Sequence, residues 1–152
     1  MLKTFITISG LVLSLTQNTY AQAPLLDITE QSNEAIVEHY ANEFGVDTEI
    51  ALRLVECESG FKQTAIGDSG KSRGVMQYQE ATFERHNNLY NQSLNKSEDL
   101  DYNSAHDQIM LGMWAISEGY GNEWTAYRAI MNGGTYSFYS KQLGKSFTVT
   151  CR

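Results

Sequence analysis

Hydrophobic positions along the chain form one unbroken run and several periodic stripes. The run, Thr4 to Leu15 (TFITISGLVLSL), follows Met1-Leu2-Lys3 and gives way to polar residues with small ones at Thr19, Ala21 and Ala23. Farther on, Ile36, Val37, Tyr40 and Phe44 recur at helical spacing behind a cap at Ser32 or Asn33, and Gly45 ends that helix. A second helix opens on Asp47 with Glu49 in its acidic first turn. Ile50, Ala51, Leu54 and Val55 are its inner stripe, and Gly60 offers the left-handed stop.

From Gln63 to Gly74 the chain is polar and glycine-rich (QTAIGDSGKSRG), which predicts an irregular loop or a small hairpin. A third helix starts near Gln79 and Glu80, and the polar segment NNLYNQSLNKSEDLDYN reads as a long connection. The strongly apolar SAHDQIMLGMWAISEG then predicts a helix central to the core. Gly119 to Asn122 turns, Trp124 to Met131 is a further helix, Asn132-Gly133-Gly134 breaks it, and a short segment runs to Leu143. Phe147, Val149 and Cys151 alternate like an edge strand. The pattern predicts a mainly α fold: one compact helical domain over 33–152, with a glycine-rich loop or small hairpin and a short edge strand.

The apolar run changes meaning once its flanks are considered. A short positive start, an h-region of about a dozen residues and a small-x-small site predict a secretory signal over 1–21, followed by a lead-in over 22–32. Cleavage after Ala21 is favoured because Pro24 would follow the second site at Ala23. A membrane anchor is the alternative, but a span needs roughly 18 apolar residues and this run fades by Thr16. No cysteine lies near either site, which argues against a lipoprotein.

Among 152 residues there are two cysteines and one proline, and the net charge is −7. Cleavage would leave roughly 130 residues, enough for one sizeable core. It would also make the chain more acidic, and an acidic exterior argues against a nucleic-acid partner. Export permits Cys57 and Cys151 to form a disulfide tying the C-terminal tail to the second helix; the alternative is two unpaired thiols, one of them buried.

Several motifs mislead. Gly70-Lys71-Ser72 resembles the end of a phosphate-binding loop, but Ala65 stands where the first glycine is needed. Gly70 to Gly74 matches G-x-S-x-G, yet that elbow joins strand to helix within a large parallel sheet, which this chain cannot supply. His39, His86 and His106 have no metal-ligand spacing and no paired cysteines beside them, so they read as surface or satisfied core histidines. No metal and no other cofactor is expected.

That leaves carboxylates. In VECESGF, at about 100° per residue, Glu58 falls within roughly 60° of Ala51, Leu54 and Val55, whereas Glu56 lies about 200° from Glu58, on the outside. An inward carboxyl is desolvated, and in the last turn of a helix it faces the negative dipole end; both favour the protonated form. A proton held near neutral pH is what general-acid cleavage of a glycosidic bond requires. The plainer reading is a buried glutamate bonded to backbone or freed by fraying.

Glu58-Ser59-Gly60-Phe61 followed by Gly74-Val75-Met76-Gln77 resembles the E-S-x-F and G-L-M-Q pair of the soluble-type lytic transglycosylases, of the lysozyme-like superfamily. Ala129-Ile130-Met131-Asn132-Gly133-Gly134 with Tyr139 is similar to that family's A-x-Y-N-x-G and later tyrosine. The resemblance runs from about Asn33 to Leu143. It implies a lysozyme-like, mainly helical (α+β) domain, with a cleft beside the glycine-rich loop, that cleaves the β-1,4 bond between N-acetylmuramic acid and N-acetylglucosamine, giving a 1,6-anhydro product, with Glu58 as acid and then base. By matched position Met76 and Gln77 would line the glycan cleft, Ser72 would sit at its loop edge, and Asn132 and Tyr139 would help close it. Met131 stands where the family has a tyrosine orienting the carboxyl, and Met131 cannot donate a hydrogen bond. Tyr127, one turn earlier, is the candidate to replace it; alternatively Ala126-Tyr127 is the true register, with Arg128 in place of the asparagine, or Tyr127 is an ordinary core tyrosine. Of the aromatics, Trp114 and Trp124 are expected in the core, with sugar contact reserved for Tyr78 and Tyr139.

Two rival readings remain: a hydrolytic muramidase of the same fold with Asp68 as second carboxylate, and a noncatalytic wall-binding protein. The expected protein is an exported monomer, periplasmic or extracellular, with no membrane span after cleavage. Its partners would be peptidoglycan glycan strands and a cell-envelope or secretion-machine component.

Overall fold

The computed structural model describes residues 32–140 and 144–151. The expected signal segment and the lead-in up to Gln31 lie outside the described residues, as do 141–143. Among the described residues no helix is long and apolar enough to cross a membrane.

Helices α1 (Asn33–Phe44) and α2 (Thr48–Ser59) carry the caps their sequences promise. Ser32 Oγ accepts from Ala35 N–H and Asp47 from Ile50 N–H, which satisfies donors that a helix start leaves open. Gly45 and Gly60 end the two helices in the left-handed region, which a side chain would resist. Between α2 and the third helix the glycine-rich loop folds into a small antiparallel sheet: β1 (Ile66–Gly67), β2 (Ser72–Arg73) and β3 (Tyr78–Gln79), in that order.

Helix α3 (Glu80–Leu94) is longer than the polarity of its sequence suggests. Its second half, NNLYNQSL, reads as connection from sequence, yet Phe83, His86 and Tyr90 continue one buried face. The polar residues form the opposite face, and the side chain of Asn91 bonds both the N–H and the C=O of Glu98, bracing the turn that follows. Helix α4 (Ala105–Ser117) is buried without a break from Gln108 to Ile116, as an all-round apolar helix must be. α1 packs along one side of it and α3 along another.

Helix α5 (Thr125–Met131) ends at Asn132 and leads into a ribbon of two antiparallel strands, β4 (Thr135–Ser140) and β5 (Lys145–Thr150). β5 is the expected edge strand; β4 has no counterpart in the sequence reading, although Thr-Tyr-Ser-Phe-Tyr-Ser alternates with a strand's period. Cys57 and Cys151 are bonded to each other, 94 residues apart, fastening the end of β5 to α2. The Arg53 guanidinium donates to Cys151 C=O at 3.3 Å and reinforces the join.

Candidate active site

Two short motifs meet at the C-terminal end of α2. Ser59 Oγ donates to Val75 C=O at 2.7 Å, so the residue after Glu58 is fastened to the segment Gly74-Val75-Met76-Gln77. That segment is pinned from three further sides. Gln108, fully buried in α4, accepts from Met76 N–H and donates to Tyr102 C=O. Trp124 Nε1–H donates to Met76 C=O at 2.9 Å. Gln77, held at a positive φ of 50°, donates its amide to Ala65 C=O and Gly74 C=O. Backbone that belongs to no long helix or strand thereby finds partners, as buried peptide groups must.

A cleft of about 670 Å³ opens beside this junction. Glu58 and Cys57 of α2 border it, with Asp68 and Ser72 from the small sheet, Gln77, Tyr78 and Gln79 from the following segment, Thr82 from α3, and Glu123 to Ala126 leading into α5. Phe147, Thr148 and Val149 of β5 complete its described border.

Glu58 has the most altered chemistry of the carboxylates lining it. Burial raises its carboxyl pKa from 4.5 to about 7; the backbone N–H of Ala126 favours the charged form and opposes the shift, and the negative charge of Asp68 adds to it. Glu56, two residues earlier, is exposed to solvent. Asp68 is exposed but fixed: Ser72 Oγ, itself buried, donates to its Oδ2 at 2.7 Å. Asp68 and Ser69 both take positive φ, a strained arrangement in which the tight turn directs Asp68 to the cleft.

Of the residues singled out from sequence, Glu58, Ser72, Gln77 and Tyr78 border the cleft together. Tyr78 does so from within the core: it is 2% exposed, its ring meets Phe83 and Trp124 edge-on, and its hydroxyl lies 3.1 Å from His86 Nδ1. A ring so enclosed has no face free for a sugar. Met76, Tyr127, Asn132 and Tyr139 do not border the cleft. The Met76 side chain is fully buried against Gly112 of α4, because the backbone bonds to Gln108 and Trp124 turn it inward. Tyr127 packs over Gly121. Asn132 turns back to donate to Arg128 C=O, and Tyr139 stands exposed on β4. Met131 is 55% exposed, so the position that should hold an orienting tyrosine points to solvent. Ala126 N–H occupies the role of a group facing the Glu58 carboxyl, and a backbone donor leaves no mark in sequence.

The model of the transglycosylase SLT domain matches residues 35–137, two-thirds of the chain and every element from α1 to the middle of β4. The chain belongs to the transglycosylase SLT family. No curated protein and no solved structure matches it at the significance required. The family is that of the lytic transglycosylases, whose activity is on peptidoglycan, and the helix-rich fold with a small sheet agrees with the lysozyme-like architecture.

Arg85 and Glu123 escaped the sequence reading, whereas His86 is the satisfied core histidine it allowed for. His86 is fully buried between Tyr78 and Glu123; burial lowers its pKa, with Glu123 pulling the other way and Arg85 adding to the fall. Arg85 pairs with Glu123 at the cleft rim. Their spacing along the chain gives no signal, because α3 and the turn before α5 meet only in the folded protein. Among the described residues no group of three metal-ligating side chains gathers.

Proposed function

We propose that this SLT domain cleaves the bond between N-acetylmuramic acid and N-acetylglucosamine without water, using Glu58 for both proton transfers. The observation that carries the reading is a carboxyl raised to about pKa 7 by burial, on the border of an open cleft. Near neutral pH a substantial fraction still holds its proton. In the first step that proton passes to the glycosidic oxygen as the bond to the anomeric carbon breaks. Glu58, now a carboxylate beside Ala126 N–H, then takes the proton of the muramoyl 6-hydroxyl as its oxygen bonds the anomeric carbon. The product carries a 1,6-anhydro ring, and Glu58 ends protonated as it began. The substrate's acetamido group assists between the steps.

Gln77 and Ser72 support this chemistry from the cleft border, Gln77 by shaping the wall and Ser72 by fixing Asp68. The position of Asp68 favours a second reading, hydrolysis with Asp68 directing a water. The two differ in their product ends. Export under a signal over residues 1–21, to the periplasm or the exterior, fits a wall substrate.

Glu58→Gln is expected to lower release of soluble muropeptides from purified sacculi by about two to four orders of magnitude, the usual worth of a positioned acid–base group. Glu56→Gln should retain most activity. Release by Glu58→Gln equal to that of wild type would sink the assignment.

A further inference from the structure

The family match ends at residue 137, but the cleft does not: Phe147, Thr148 and Val149 of β5 form part of its border. Neighbouring side chains of a strand point to opposite faces. Three consecutive residues therefore reach one cavity only if the strand presents its edge to it.

The register identifies which backbone groups that edge offers. Cys151 N–H donates to Gly134 C=O at 2.8 Å, and the pairing runs on through Thr135↔Thr150, Tyr136↔Val149, Ser137↔Thr148 and Phe138↔Phe147. In an antiparallel ladder bonded and non-bonded pairs alternate. With Gly134 and Cys151 bonded, Val149 and Phe147 aim their N–H and C=O at β4, whereas Thr148 aims both away from it. Thr148 thus brings one donor and one acceptor to the cleft, on the edge opposite its partner strand.

The edge is anchored beside the candidate acid. Cys57 precedes Glu58 and also borders the cleft; through Cys151 it fixes the C-terminal end of β5 to the last turn of α2. Arg53 holds the same point through Cys151 C=O, and Gly134, at a positive φ of 96°, lets β4 pass close beneath it. Two covalently joined walls of one cleft cannot separate as a hinge would allow.

We propose that β5 is a substrate-binding strand, whose Thr148 backbone N–H and C=O pair with an acetamido group of the glycan and whose position is set by the Cys57–Cys151 bond. An amide offers one donor and one acceptor, the complement of a strand edge. The repeating sugars of the substrate carry such a group at every residue, and the peptide stems carry amides of their own. The glycan is the source assigned here, because the edge lies in the same cleft as Glu58, where the sugar–sugar bond must sit. This assignment rests on the peptidoglycan reading of the site.

The test uses the full mature chain carrying Glu58→Gln, so that ligand survives, and titrates it with a hexamer of N-acetylglucosamine, which has acetamido groups and no peptide. Thr148→Pro removes the outward N–H while sparing the ladder, a replacement that sheet edges tolerate. Cys57→Ser with Cys151→Ser releases the anchor. Each is expected to weaken hexamer binding about fivefold or more, in line with a lost hydrogen bond of about 1 kcal/mol, with circular dichroism unchanged. Unchanged affinity in both variants, no hexamer binding by the parent, or weakening seen with peptide-bearing muropeptides alone would overturn the proposal. Digestion of sacculi by the Glu58→Gln parent would instead count against the role of Glu58 and leave the strand assignment to the titration.

Discussion

Glu58 is held between a cost and a benefit that the same burial creates. Its folded pKa of about 7 stands above the ordinary carboxyl value of 4.5, so the neutral form is the one the fold favours. Stability from this group is full below pH 4.5 and is lost as pH rises through about 7, a loss of about 3 kcal/mol once the carboxyl is ionised. Glu58→Gln stays neutral throughout. Urea denaturation should find it close to wild type near pH 4 and more stable by up to about 3 kcal/mol near pH 8.5. The activity of the wild type should decline above about pH 7 for the same reason, the acid having lost its proton. Asp68→Asn removes a charge that raises the Glu58 pKa, so its alkaline limb should move to lower pH, measured as initial rate of muropeptide release. Helical spacing alone separates Glu58 from Glu56, because both lie on one regular helix. It has no hold on Met76 and Gln77, which sit in irregular backbone. There a positive φ at Gln77 and three backbone bonds decide which side chain faces the cleft.

The element that holds the site steady is α4, through one polar side chain. Gln108 is fully buried and serves both Met76 N–H and Tyr102 C=O. Gln108→Leu would leave those two groups without their partner, and a buried group deprived of its bond costs about 1–3 kcal/mol. A fall of about 2 kcal/mol or more in the urea-derived stability is expected, with lower activity because Gln77 shares the displaced segment. α1, α2 and α4 were legible as elements, since each carries its cap and an apolar pattern of helical period. α3 was legible in its first half alone. Its exposed face is so rich in asparagine, glutamine and serine that the buried Tyr90 looks isolated until α4 is seen packed against it. β4 was missed because the glycines before it draw attention to a break rather than to the alternation that follows.

For the molecule as a whole, the disulfide is a long-range covalent constraint, joining residues 94 apart in the chain. Cross-linking so distant a pair restricts the unfolded chain, and loss of such a bond typically costs about 2–5 kcal/mol. Thermal unfolding with and without reductant should therefore show a clear drop in midpoint. A midpoint indifferent to reductant would show that the disulfide adds nothing to global stability. The cysteine pairing was an open alternative in sequence, where count and compartment permit a bond but distance is invisible. The cleft itself was legible as the neighbourhood of Glu58 and the glycine-rich loop. Its border along β5 was not, since that contact depends on a bond between residues 57 and 151. The most direct test of the proposed chemistry is mass spectrometry of the soluble products from purified sacculi digested by wild type and by Glu58→Gln. Wild type should release fragments ending in 1,6-anhydromuramoyl groups, and Glu58→Gln should release almost none; reducing ends from wild type, or equal release by both proteins, would contradict it.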